Sequence, residues 1–323
     1  MSKVKESINI GNLKLRNRIV MPPMATAKSS DGKVNEDLIN YYSLRARETG
    51  LIILEHEYVS LEGKASAAQL SMADDSVIEG YKTLTDAVHE KGAKIFAQIN
   101  HAGVAAKDNG LSPLSPSGIN VWKQDVCYDV LSLEGIKTVI EDFANAARRV
   151  KEAGFDGVEI HAAHGYLLNQ FYSPLTNKRA DEYNGNTMEG RTRLHVEVIK
   201  AVRAAVGADF PVAMRFGALD YLEGGSKIEE VAEASKIFEN AGIDLLDITG
   251  GLSGYIIKGN TKPGWFSELS IPAKSAVNIP VILTGGITNV DEAESLLKDG
   301  AADLIGVGRA LLQDPDWSVK ALA

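Results

Sequence analysis

Four times along this chain a helix-like stretch ends on nearly the same phrase: Glu90-Lys91-Gly92-Ala93, Glu152-Ala153-Gly154-Phe155, Asn240-Ala241-Gly242-Ile243 and Lys298-Asp299-Gly300-Ala301. Glycine there supplies the left-handed turn that closes a helix, and an apolar run fit for a buried strand follows, so the chain is written in strand–helix units. Extended along the sequence, the pattern gives strands at Arg18–Pro22, Gly50–Glu55, Ala93–Gln98, Gly157–His161, Pro211–Arg215, Leu245–Ile248, Pro280–Thr284 and Asp303–Val307. Helices fall near Glu36–Glu48, Val77–Lys91, Leu133–Glu152, Gly190–Val206, Lys227–Asn240, Glu268–Ala276, Val290–Leu297 and Arg309–Leu322. Eight pairs with no break in composition predict one α/β domain over residues 1–323, a closed (β/α)8 TIM barrel rather than two doubly wound halves.

Two segments stand outside the repeat. Ile8 to Leu15 alternates apolar and polar residues around Gly11-Asn12, the pattern of a hairpin that would plug the amino-terminal mouth of the barrel. Residues 101–132, after the third strand, are punctuated by Gly103, Gly110, Pro113 and Pro116 and carry no helical period. Loops of that length are commonly lids, so this one is expected to cap the active site.

Barrels of this kind build their sites from strand ends at the carboxyl face. The fourth strand runs straight into His161, His164 and Tyr166, three proton-handling groups in one small volume. Other strand ends carry Pro23-Met24-Ala25-Thr26, Glu55-His56-Glu57, Gln98 with His101, and Arg215. Thr284-Gly285-Gly286 and Gly306-Val307-Gly308-Arg309 follow the last two strands, and paired glycines before helix starts expose backbone N–H groups to an anion, which points to phosphate. His161 and His164 with Glu159 could instead ligate a metal, but without a third histidine nearby no metal site is expected. Gln98 and Arg215 could equally pair with buried carboxylates. His101 reads as a loop anchor, His89 and His195 as solvent-facing helix residues, Trp122, Tyr128 and Trp265 as lid packing, and Arg179 with its acidic neighbours as a loop clamp.

The chain carries 34 basic and 43 acidic residues, a net charge of -9, with no basic stripe, which argues against a nucleic-acid partner. Its one cysteine, Cys127, excludes an internal disulfide framework or a four-cysteine cluster. The first ten residues lack an apolar signal core and no long apolar window occurs, so the expectation is a cytoplasmic protein with no membrane partner.

Asn12–Met24 (N-L-K-L-R-N-R-I-V-M-P-P-M), Ala97–Gly103 (A-Q-I-N-H-A-G), the long block Glu141–Tyr183, Pro280–Ile287 and Gly306–Pro315 together resemble the old yellow enzyme family, and within it the bacterial ene-reductases, over essentially the whole chain. The resemblance implies FMN as cofactor, NADH or NADPH as reductant, and reduction of an activated C=C bond in an α,β-unsaturated carbonyl or carboxyl compound. It also implies roles. Pro23, Met24 and Ala25 would line the flavin; Gln98 would bond its pyrimidine edge; Arg215 would offset charge on the reduced ring; and Gly285, Gly286, Gly308 and Arg309 would hold the phosphate. His161 and His164 would polarise the substrate oxygen, and Tyr166 would protonate the α-carbon. Relatives form dimers or tetramers, so a homo-oligomer is expected.

The departures are Ala25, where relatives usually carry cysteine or threonine at the flavin, Ala27, often aromatic, and His56, normally small. His56 is therefore expected at the flavin edge, in place of the lost hydrogen bond. Larger relatives add an iron–sulfur cluster and a nucleotide module; with the sequence ending at Ala323, electrons are expected directly from a pyridine nucleotide or a donor protein. Two alternatives stay open: a barrel lyase, isomerase or aldolase gripping a phosphorylated metabolite, and a flavin-binding protein whose activity is weak or lost.

Overall fold

The computed structural model describes residues 2–123, 126 and 128–323; Cys127 lies outside them. The eight expected strands are all present: β1 Ile19–Met21, β2 Leu51–Tyr58, β3 Lys94–Asn100, β4 Gly157–Ala162, β5 Val212–Leu219, β6 Leu245–Gly250, β7 Val281–Thr284 and β8 Leu304–Gly306. Each pairs in parallel with its sequence neighbours, and β8 pairs with β1, so the sheet closes into a barrel. Around it run α1 Glu36–Arg45, α2 Ile78–His89, α3 Leu133–Glu152, α4 Met188–Val206, α5 Val231–Ala241, α6 Ser267–Ala276, α7 Val290–Lys298 and α8 Arg309–Gln313. Gly92, Gly154, Gly242 and Gly300, the glycines of the repeated phrase, all take positive φ, between 74° and 116°. Among the described residues no helix is long and apolar enough to cross a membrane.

Three features differ from the expectation. The last helix is two, α8 and Trp317–Leu322, because Pro315 lacks an N–H and forces Asp314 into an extended conformation at φ -132°, ψ 103°. A short helix, Leu167–Tyr172, follows β4, with all six residues buried. His195 is fully buried rather than solvent-facing, its ring stacked on Phe238 at 5.3 Å. It lies on the same stripe of α4 as Arg191, Leu194, Val198 and Val202, so helical spacing marks it as core. His89 bonds Asp156 at 2.6 Å and is one-third exposed.

The hairpin forms as expected, Ile8 opposite Leu15 and Ile10 opposite Leu13, with Gly11 at φ 53°. Ile10 and Leu15 enter the barrel and pack on Val20, Leu51, Ile53, Phe96, Ala213, Leu245, Ile282 and Leu304, one or two residues from each of seven strands. The eighth, β4, brings Gly157, where an added Cβ would lie 2.4 Å from the Phe96 ring. This apolar layer seals one end. Side chains on a strand repeat every second residue, so the next inward position on each strand decides what the other end is made of.

Candidate active site

Two residues beyond Phe96, Gly157, Ala213 and Leu245 stand Gln98, Glu159, Arg215 and Asp247, and Gly157 and Leu245 lead two steps further to His161 and Thr249. The same strands that build an apolar floor thus carry a polar ring above it. A cavity of about 610 Å³ opens over that ring, within the size range of cofactor and ligand sites. Every site residue expected from the sequence lines it: Pro23, Met24, Ala25, His56, Gln98, His161, His164, Tyr166, Arg215, Gly285, Gly286, Gly308 and Arg309.

Gln98 and Arg215 face the cavity and pair with carboxylates as well. Gln98 donates from Nε2 to Glu159 at 2.7 Å, while Arg215 Nε lies 3.3 Å from Asp247. Two carboxyls and one guanidinium therefore share a buried layer. Burial, and then the charge of Asp247, push Glu159 well above the usual carboxylate range; burial does the same to Asp247, against the pull of Arg215. Glu159 accepts the Gln98 amide on Oε2 and keeps Oε1 without a partner.

His161, His164 and Tyr166 converge. The two imidazoles are 5.0 Å apart between ring centres, and Tyr166 lies edge-on to His161 at 5.2 Å. His164, in a left-handed conformation at φ 58°, exchanges a hydrogen bond with Thr249 Oγ1 at 3.0 Å, leaving Nδ1 as its open nitrogen. His161 Nδ1 is buried without a partner, leaving Nε2. Burial first, and neighbouring positive groups second, hold both histidines well below the ordinary imidazole value, so each is neutral at pH 7 and offers at most one N–H. Burial pushes Tyr166 up to about 12, so it keeps its proton.

The far end of the cavity is built by the loops after β7 and β8. Gly285 and Gly286 take φ 136° and 68°, and an added Cβ would strike Trp265 at 2.4 and 3.0 Å. The Arg309 guanidinium lies 5.3 Å from the centre of the Trp265 ring. Trp265 Nε1 and Thr284 Oγ1 are buried hydrogen-bonding groups without a protein partner.

The loop expected as a lid lies beside the cavity without its described residues lining it. Residues 101–132 flank Tyr166 through Ala102 and Ala106, and Arg179 clamps the segment by donating to the Pro116 and Leu131 carbonyls, yet none of its described residues lines the cavity. Trp122 is exposed and His101 is buried, its Nδ1 accepting from the Gly103 N–H. The cover comes instead from the loop between β6 and α6: Gly254, Tyr255, Ile256, Trp265 and Phe266. Trp265, expected as packing, is a cavity wall. The sequence did carry a signal for this loop: it is long, with Gly251, Gly254, Gly259 and Gly264, but it lay beside a longer one. Tyr255 packs edge-on to His164 at 5.7 Å.

A closed parallel barrel whose carboxyl-face cavity carries unpartnered polar groups at both ends defines a cofactor- or ligand-binding (β/α)8 barrel. The chain belongs to the NADH:flavin oxidoreductase / NADH oxidase family, whose model matches residues 4–323. It is 43% identical over 322 residues to an NADH oxidase of Thermoanaerobacter brockii, covering 97% of this chain and 49% of that protein. It is 38% identical to an NADPH dehydrogenase of Bacillus subtilis, covering 99% and 94%. Among solved structures, a 2-naphthoyl-CoA reductase complex superposes with a TM-score of 0.93 at 29% identity, covering 99% of this chain and 52% of that one. Morphinone reductase gives 0.86 at 27%, covering 99% and 89%. The chain spans about half the length of the first curated relatives it matches.

FMN is the cofactor and NAD(P)H the reductant of this family, and the cavity passes the test of fit. One end holds an amide and a guanidinium, suited to a polar ring edge. The other holds Arg309 with the unpartnered Trp265 Nε1 and Thr284 Oγ1, beside Gly285 and Gly286, whose backbone Trp265 packs against too closely for a side chain.

Proposed function

We propose that this protein takes reducing equivalents from NADH or NADPH and uses them to saturate an activated C=C bond of an α,β-unsaturated carbonyl or carboxyl compound. The observation that carries the reading is the set of open polar atoms on one wall of the cavity: His161 Nε2, His164 Nδ1 and the Tyr166 hydroxyl. Bound FMN supplies the chemistry the side chains lack, storing a hydride and delivering it to carbon. Gln98 and Arg215 hold the flavin ring, with Pro23, Met24 and Ala25 lining it, while Gly285, Gly286, Gly308 and Arg309 hold its phosphate. Arg215, a permanent cation, stabilises negative charge on the ring.

His161 and His164 then act as neutral donors to the substrate carbonyl. Drawing density toward that oxygen makes the β-carbon electrophilic and stabilises the developing enolate. Their depressed basicity keeps them from delivering a proton to the oxygen, which leaves protonation of the α-carbon to Tyr166. Family membership favours this reading over a lyase or isomerase acting on a phosphorylated metabolite. A cytoplasmic location would give it access to that reductant.

The test is direct. Purified protein reconstituted with FMN should be yellow, bleach anaerobically with NADPH or NADH, and recover its colour when an enone or unsaturated ester is added. Bleaching without reoxidation would leave only a flavin-binding protein, and a colourless preparation would remove the reading altogether.

A further inference from the structure

His56 is the one imidazole of the cavity whose tautomer the surroundings fix. The short strand Leu70–Ser71 pairs with Glu57 and Tyr58 of β2, which sets Gln69 beside His56. Gln69 Oε1 accepts the Ala65 N–H at 2.6 Å, so its amide nitrogen must face the other way. That nitrogen donates to Asn100 Oδ1 at 2.7 Å and to His56 Nδ1 at 2.7 Å. A ring nitrogen that accepts carries no hydrogen, so the imidazole hydrogen is on Nε2. Nε2 has no partner among the described residues and is not sealed in the packing, and the ring forms part of the cavity wall. The ring runs nearly parallel to His161 at 6.4 Å and edge-on to Tyr166 at 5.6 Å. His56 thus sits with the groups that handle substrate. Burial lowers its imidazole to about 4, so it is neutral and serves as a hydrogen-bond donor rather than an acid.

We propose that His56 is a substrate-binding residue whose Nε2–H is a third donor at the reacting end of the cavity, selecting activated alkenes that carry a second carbonyl or carboxylate oxygen beyond the one taken by His161 and His164. Gln69 is its positioning residue. This inference rests on the ene-reductase reading above, and it moves His56 from the flavin edge to the substrate.

The experiment uses the FMN-loaded 323-residue chain with NADPH and two alkenes: cyclohexenone, with one carbonyl, and dimethyl fumarate, with an ester carbonyl on each carbon of its double bond. His56→Leu should lower the fumarate-to-cyclohexenone ratio of kcat/KM about tenfold, the worth of one hydrogen bond. Gln69→Glu should lower it similarly, because a carboxylate there accepts from Nδ1–H and strips Nε2 of its hydrogen. Nitrogen NMR of histidine-labelled holoenzyme should show His56 protonated on Nε2 in the parent and on Nδ1 in Gln69→Glu. A ratio that does not move in either variant overturns the proposal, as does a parent protonated on Nδ1. A changed flavin midpoint potential with an unchanged ratio also overturns it and returns His56 to the flavin. A yellow parent that NADPH bleaches but neither alkene reoxidises fails first on the ene-reductase reading, and this inference falls with it.

Discussion

The two ends of this barrel are built from the same strands, one side-chain repeat apart, and they do opposite things. At the amino end Phe96, Ala213 and Leu245 close on the hairpin's Ile10 and Leu15. Two residues on, Gln98, Arg215 and Asp247 carry charge and hydrogen bonds into the floor of a cavity. The apolar end gains stability by excluding water. The polar end spends some of it: Arg215 Nε, both Asp247 oxygens and Glu159 Oε1 are buried without hydrogen-bond partners. Burying such groups is costly, and active sites are where that cost is tolerated.

Substitutions at the two ends should therefore separate activity from stability. Tyr166→Phe should have the largest effect, slowing reoxidation of the reduced protein by alkene about 10²–10⁴-fold while its reduction by NADPH changes little. Stopped-flow measurement of both half-reactions checks it; equal damage to both would move Tyr166 out of its role. Phe96→Ala, at the opposite end, should cost about 3–5 kcal/mol in chemical denaturation and leave alkene selectivity alone. A change in selectivity would show that the ends are mechanically coupled.

Glu159→Gln should have the smallest effect, and a pH-dependent one. The folded state holds Glu159 above the ordinary carboxylate value of 4.5, so its contribution is intact below pH 4.5 and is lost as pH rises toward and through the raised value. The parent should lose stability across that window, and the variant should lose less. Denaturation curves at a series of pH values measure this, and parallel profiles would mean that Glu159 ionises normally.

Much of the barrel was legible because it is local. A glycine closing four of the amphipathic stretches and a short apolar run after it are read within ten residues, and the period they set extends to all eight strands. Arg309–Leu322 was misjudged as one helix although Pro315 stands in it, because the apolar spacing continues across the break. The site was legible where its residues cap strands, as with His161, His164 and Arg215. The cover was not, since which loop bends over a cavity depends on where its neighbours lie; two long glycine-bearing loops were available, and the longer one packs beside Tyr166 instead.

By itself the sequence determined the eightfold repeat, the plug, and the chemistry carried at each strand end, because these follow from residue type and a period of two or of 3.6. Only the tertiary structure decided which groups meet. Gln98 facing Glu159, Trp265 against Gly285, and Gln69 turning His56 into an Nε2–H donor all join residues from separate segments of the chain. Their contact is a consequence of barrel closure, which no local pattern encodes.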